Sequence, residues 1–223
     1  MRSIVCLMAV LCLVLVSTAA VHGQGAAPGA GIRLPEPKYD GNVSVEKALK
    51  ERRSVRVYKD SPLSVAEVSQ VLFAAQGITE PGRGLRTAPS ARARYYLTVY
   101  LFAGNVTGLK PGMYRYVPQG HSLALVAGGD AKGMLYKAAG QAPVDKAPAA
   151  LVIAGSQARA TNEGWMYLEA GHAAQNVYLQ CVPLGLGTVV MAGFNADAVD
   201  KALNERGSRA AGHASTVGTS LDH

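Results

Sequence analysis

The stretch "SVAEVSQVLFAAQG", residues 64–77, reads as a helix laid on a core. Ser64 and Glu67 have the spacing of a capping box, apolar side chains recur at 65, 68, 72 and 75, and Gly77 closes the segment. The period then changes. "YYLTVYLFAG" (95–104) strings β-branched and aromatic residues into a strand that runs into the turn NVTGLKPG, and "MYRYVPQGHSLALVAGG" (113–129) has the look of a hairpin.

Working outward, "SVEKALKE" (44–51) opens a short helix behind Ser44, and "DAKGMLYKAAGQ" (130–141) is another. "PAALVIAG" (148–155) and "TVVMAGF" (188–194) are buried strands, residues from about Trp165 to Leu184 form a long helix, and "NADAVDKALNE" (195–205) is a last helix capped by Asn195. Helices and strands mixed in this way, with a hairpin between them, predict an α+β sandwich around one sheet, with no internal repeat.

The ends differ in character. Arg2, the apolar run IVCLMAVLCLVLV and then STAAVHG have the layout of a secretory signal peptide over residues 1–23, cut after Gly23 or, alternatively, after Ala19 or Ala20. An uncleaved anchor is the rival reading, although the run is short for a span. The expectation is an exported protein with no membrane attachment after cleavage. Residues 24–43, rich in Gly, Ala and Pro, read as a linker or surface arm, and residues 44–203 as the domain. Residues 204–223 lose periodicity and are expected to be a disordered tail.

Charge and cysteines narrow the function. The 223 residues carry 22 Lys and Arg against 15 Asp and Glu, a net +7, yet the cations are scattered and there are only one Trp and three Phe to interleave with them. Nucleic acid is therefore not the expected partner. Cys6 and Cys12 lie in the leader, so Cys181 alone remains, read as a buried packing residue, and no Cys/His spacing suggests a metal site.

One basic stretch stands apart. In "KERRSVRVYKD" (50–60), an extended backbone turns Arg52, Ser54 and Arg56 to one side and Arg53 and Val55 to the other. Guanidinium forks flanking a hydroxyl suit phosphate oxygens. Arginines at a helix end also serve its dipole while facing water, and spacing does not separate the two readings. "RTAPSARARYY" (86–96) carries Pro89, Ser90 and Ala91 in a loop able to offer amides and a hydroxyl to a flat ligand, or to be an ordinary turn. Ala192 and Gly193 end a strand where missing bulk allows close backbone approach, or a tight turn. Glu169, His172 and Asn176 share one helical face and read as a buried polar seam between helices, or as a catalytic pair.

Taken in order, "ERRSVRVY", "RTAPSARARYYLTVYL", "GLKPGMYRYVPQGHSLALV", "AAGQAPVDKAPAALVIAG" and "LEAGHAAQNVYLQCVPLGLGTVVMAGF" resemble the FMN-dependent nitroreductase superfamily, and within it the SagB/ThcOx-type dehydrogenases. The resemblance, over roughly residues 44–203, implies an α+β homodimer with a mainly antiparallel central sheet flanked by helices and FMN at the subunit interface. It implies that Arg52, Arg53, Ser54 and Arg56 hold the ribityl phosphate, that Pro89, Ser90 and Ala91 of a partner line the isoalloxazine ring, and that the backbone at Ala192 and Gly193 approaches flavin N5. No catalytic side chain is singled out, because the cofactor supplies the redox chemistry. The implied activity passes a hydride from a reduced donor, with NAD(P)H one candidate, to a small organic acceptor. A flavin-binding module without turnover and an azoline dehydrogenase-like peptide oxidase are the alternatives.

Overall fold

The computed structural model describes residues 31–155, 162–204 and 211–219. In chain order the elements are β1 (Ile32–Arg33), α1 (Val45–Glu51), β2 (Leu63–Ser64), α2 (Val65–Gln76), β3 (Ile78–Glu80), β4 (Leu85–Arg86), a 3-10 turn (Ala91–Ala93), β5 (Leu97–Ala103), β6 (Val106–Thr107), β7 (Gly112–Val117), β8 (Ser122–Gly128), α3 (Ala131–Ala139), α4 (Ala142–Lys146), β9 (Ala149–Gly155), α5 (Glu163–Cys181), β10 (Leu186–Met191), α6 (Ala196–Asn204) and β11 (Ala211–Thr219). The main sheet has the order β1-β8-β7-β5-β9-β11-β10, and every neighbouring pair in it is antiparallel.

Period-two alternation divides β5 and β9 between two helical layers. Val99, Leu101, Ala103, Ala149 and Leu151 face α2 and the C-terminal half of α5, meeting Val68, Val71, Leu72, Val177 and Cys181. Their alternates Tyr100, Phe102, Ala150 and Val152 face Leu135 of α3 and Val199 and Leu203 of α6. Strands covered on both faces lose the polar half of the alternation, which is why both read as unbroken apolar runs.

Helix boundaries follow their caps. Ser64 accepts from the Glu67 amide and the Glu67 carboxylate accepts from the Ser64 amide at 2.7 Å, the full capping box. Ser44 accepts from the Lys47 amide, and Asn195 Oδ1 accepts from the Ala198 amide at 3.0 Å. Val182 beyond Cys181 still has helical backbone (φ −59°, ψ −56°), but Pro183 has no amide hydrogen with which to continue the ladder, and Gly185 takes the left-handed φ of 65° that turns the chain into β10. Burial pushes the Cys181 thiol well above its ordinary range, in keeping with a packing role.

The domain bounds and the tail need correction. Within residues 24–43, those from 31 on take the arm alternative and not that of a free linker, and their bonds to the domain carry the fold ahead of Ser44. Leu34 is buried, its amide donates to His121 O at 3.0 Å, and the Gln70 side chain both accepts from the Lys38 amide (2.8 Å) and donates to Lys38 O (3.0 Å). Residues 211–219 form β11, inserted between β9 and β10, with Ala211–Val217 opposite Ala149–Gly155 and Ala214–Thr219 opposite Leu186–Met191. Its sequence AGHASTVGT has no apolar period. The strand is specified by two flanking edges whose backbone groups need partners. The leader, residues 1–23, lies outside the described residues.

The arm is locked by one histidine. Tyr116 donates its hydroxyl to His121 Nδ1 (2.8 Å), and Nε2–H then faces Ser69 Oγ (2.6 Å) and Pro35 O (3.1 Å), while the Ser69 hydroxyl donates to Pro35 O (2.6 Å). Nδ1 accepts from Tyr116 only in the neutral ring; a charged ring would donate to the Tyr116 oxygen instead. Burial lowers the His121 pKa, with the Pro35 carbonyl and Glu36 pulling the other way, and burial holds the Tyr116 phenol in its protonated form.

Candidate functional site

The arginine segment is extended because α1 ends at Glu51 and the chain then joins the outer edge of β10. Ser54 forms a parallel bridge with Thr188, and the Val55 amide donates to Thr188 O at 2.9 Å. Arg53 turns back and donates to the carbonyls of Lys50 and Arg52, both at 2.8 Å, satisfying orphan groups at the helix end. Arg52 turns the other way, its guanidinium 5.1 Å from the centre of the Tyr178 ring. The Ser54 hydroxyl lies 2.8 Å from the Tyr178 hydroxyl, and Arg56 reaches Ser54 O at 3.5 Å. Together with Val182, Leu186 and Thr188 these residues line a cleft of about 250 Å³.

Electrostatically the cleft suits an anion. Among the described residues none of Arg52, Arg53 and Arg56 makes a salt bridge, and Glu51, which also lines the cleft, reaches Lys47 at 3.9 Å. The volume is below the roughly 300–1,000 Å³ of sites that enclose a whole cofactor-sized ligand. A phosphate and its tether fit; a fused ring system needs further surface.

The Pro89–Ala91 loop stands elsewhere on the same helix. Glu169 of α5, 1% exposed, accepts from the Ser90 hydroxyl (2.6 Å) and the Tyr96 amide (3.2 Å) through one oxygen and from Gln76 Nε2 (3.5 Å) through the other. Ser90 Oγ in turn accepts from the Tyr95 amide at 2.8 Å. His172 donates to Pro89 O and Asn176 to Thr87 O, each at 3.2 Å. The seam foreseen between helices is thus chiefly a tether from helix to loop, with Gln76 of α2 as its one helical partner. It corrects the idea of Ser90 offering its hydroxyl to a ligand, since that hydroxyl is turned inward. The tether also holds a strained path: Arg92, Ala93 and Tyr95 have φ of 56°, 51° and 48°, each costing about 1–3 kcal/mol in a residue with a side chain.

Ala192 and Gly193 follow the end of β10 and are exposed. The Gln141 amide donates to Gly193 O at 2.6 Å, and a Cβ on Gly193 would meet nothing within 4 Å. Internal packing therefore does not require glycine there.

These groups do not meet in one pocket of one chain. Glu169 and Tyr178 are nine residues apart on α5, so the Ser90 loop and the arginine cleft are separated by about 13 Å along the axis and by about half a turn around it. Between them α5 exposes Gly164, Leu168, Gly171 and Gln175. Tyr178, Thr188 and Gln141 went unremarked in the sequence. Nothing local marks them, since each acquires its neighbour through tertiary contact.

The Nitroreductase family model matches residues 49–212. The chain belongs to the nitroreductase family. A relative in Methanocaldococcus jannaschii, assigned as a nitroreductase, is 41% identical over 170 residues, which cover 73% of this chain and 84% of that one. The crystal structure of a protein assigned as a nitroreductase from Ralstonia eutropha JMP134 superposes with a TM-score of 0.74 at 30% identity, over 86% of this chain and 90% of the other. A third, from Desulfovibrio desulfuricans and solved in complex with FMN, has a TM-score of 0.59 at 20% identity, over 80% and 87%. This nitroreductase-family chain therefore has the α+β fold expected of it, with helices on both faces of an antiparallel sheet.

Proposed function

We propose that the protein is an exported, FMN-dependent oxidoreductase of the nitroreductase family, working as a homodimer, that moves a hydride from a reduced donor such as NAD(P)H to a small organic acceptor. The carrying observation is the cleft with Arg52, Ser54 and Arg56 at its wall, cationic and without acidic partners to those arginines among the described residues. When bound, FMN supplies a ring that accepts and returns the hydride. Arg52, Ser54 and Arg56 hold its phosphate, while Arg53 chiefly closes the helix beneath them. The open backbone at Gly193 admits the ring, and Gln141 fixes the peptide that follows.

Dimerisation supplies the remaining wall. The cleft and the Ser90 loop flank an exposed stripe of α5, and Val45, Leu49, Tyr167 and Leu168 are apolar and at least half or nearly half exposed beside it. A two-fold contact across that stripe would bring each partner's Pro89 and Ala91 towards this chain's cleft, with Ser90 contributing through its backbone. The run of residues 1–23 supports export, and likeness to the SagB/ThcOx branch belongs to the same reading. The test is purification of the mature protein: FMN absorption bands, a dimer in solution and NAD(P)H-dependent reduction of a nitroaromatic or quinone are expected. Protein that neither carries nor takes up FMN would end the reading, and flavin without turnover would make it a binding module.

A further inference from the structure

Tyr178 belongs to neither the basic segment nor the loop, yet it touches three parts of the cleft. Its hydroxyl is 3.0 Å from the Val190 amide and 2.8 Å from Ser54 Oγ, and its ring lies under Arg52. β10 is the last strand of the sheet, so its outer backbone groups need partners. Val55 takes Thr188 O and Tyr178 takes Val190 N–H, so the phenol continues the edge where the arginine segment leaves it.

Hydrogen-bond accounting fixes one end of the proton order. Val190 N–H has only a proton to give, so the Tyr178 oxygen accepts it. Between Tyr178 and Ser54 either hydroxyl can donate, and each order leaves one hydroxyl proton for the cleft. With an anion beside Arg52 and Arg56, the order that presents Ser54 to it is Val190 N–H to Tyr178 oxygen, Tyr178 O–H to Ser54 Oγ, and Ser54 O–H into the cleft.

We propose that Tyr178 is a positioning residue that sets Ser54 as a hydrogen-bond donor to an oxyanion and holds Arg52 over its ring as a second donor, so that the cleft selects the phosphate end of its ligand. This rests on the flavin reading above for the identity of that ligand. Tyr178 touches no reacting atom; it acts through Ser54 and Arg52.

The experiment compares FMN, riboflavin and inorganic phosphate as probes of the full-length mature protein, wild type against Tyr178→Phe, Ser54→Ala and the double variant. Binding is followed by flavin fluorescence quenching or calorimetry, and melting temperatures are recorded alongside. Tyr178→Phe keeps the ring under Arg52 and is expected to weaken FMN about tenfold while leaving riboflavin unchanged within about twofold. The double variant should be no weaker than Ser54→Ala alone, because the Tyr178 hydroxyl acts through the Ser54 hydroxyl that Ser54→Ala already removes. Equal loss of FMN and riboflavin, losses that multiply in the double variant, or a Tyr178→Phe protein that binds FMN as wild type would each overturn the proposal. Wild type that binds neither flavin overturns the flavin reading; phosphate affinity that still falls in Tyr178→Phe would then sustain the Tyr178–Ser54 anion site, and phosphate affinity that does not would remove it. Should Tyr178→Phe melt early, the Ser54→Ala variant supplies the same FMN-against-riboflavin comparison.

Discussion

The Ser90 hydroxyl donates to Glu169 across 2.6 Å, from a strained loop to a carboxylate that is 1% exposed on α5. That bond, with the Tyr96 amide on the same oxygen, joins the shape of the loop to the stability of the domain.

Glu169→Ala should cost about 2–4 kcal/mol, because it strands the Ser90 hydroxyl and the Tyr96 amide together. For a domain of this size that is a fall in melting temperature of about 4–16 °C. Glu169→Gln should cost less, about 1–2 kcal/mol. It keeps one acceptor but sets its own amine against that of Gln76, whose oxygen is held by Arg86 at 2.8 Å. Thermal melts of both variants check the order.

Arg52 and Arg53 should separate. Arg52→Ala is expected to weaken FMN at least tenfold with little change in melting, since it removes a charged donor from the cleft. Arg53→Ala should change FMN affinity by less than about threefold and cost about 1 kcal/mol of stability through the helix-end carbonyls it now bonds. Titration with FMN and a melt of each variant decide it; the reverse pattern would exchange their roles.

Gly193→Ala discriminates a ligand-facing backbone from a simple turn. With no atom within 4 Å of the added methyl, folding should change by less than about 0.5 kcal/mol. On the proposed placement of FMN, its reduction by NAD(P)H should nonetheless slow about tenfold or more, because the methyl would enter the space the ring needs. Stopped-flow flavin bleaching beside a melting curve tests this.

The arm should loosen on acidification. The ordinary His121 pKa of 6.5 describes the unfolded chain, and the folded value is lower because of burial. Between the two the unfolded chain binds the extra proton, so the His121 contribution is fully present above about pH 6.5 and is lost as pH falls below it. Hydrogen exchange at residues 32–38 should rise between pH 7.5 and 5.5 in wild type. In His121→Asn, which tolerates the φ of 45°, exchange should start high and depend less on pH.

A chain ended after Asn204 should not fold. Removing β11 leaves β9 and β10 facing a gap the width of a strand in the middle of the sheet. Circular dichroism of the truncated protein should show loss of the cooperative melt.

The capping box, the two-sided strands and the long helix were legible in the sequence because their signals are local: a serine three before a glutamate, an unbroken apolar run, an apolar residue every three to four places. The arginine segment was legible as chemistry, and the turning of Arg52 and Arg53 to opposite sides follows from extended backbone alone. Which guanidinium serves the helix and which faces the cleft depended on where the Lys50 carbonyl and the Tyr178 ring came to rest, and only the packed chain fixes those. Ser90 shows the same limit, since its hydroxyl could not be known to face inward until α5 brought Glu169 beneath it. β11 is the extreme case: without an apolar period of its own, its conformation is dictated by the unpaired backbone of two strands distant in sequence, and hydrogen-bond demand across such separations leaves no trace in neighbouring residues.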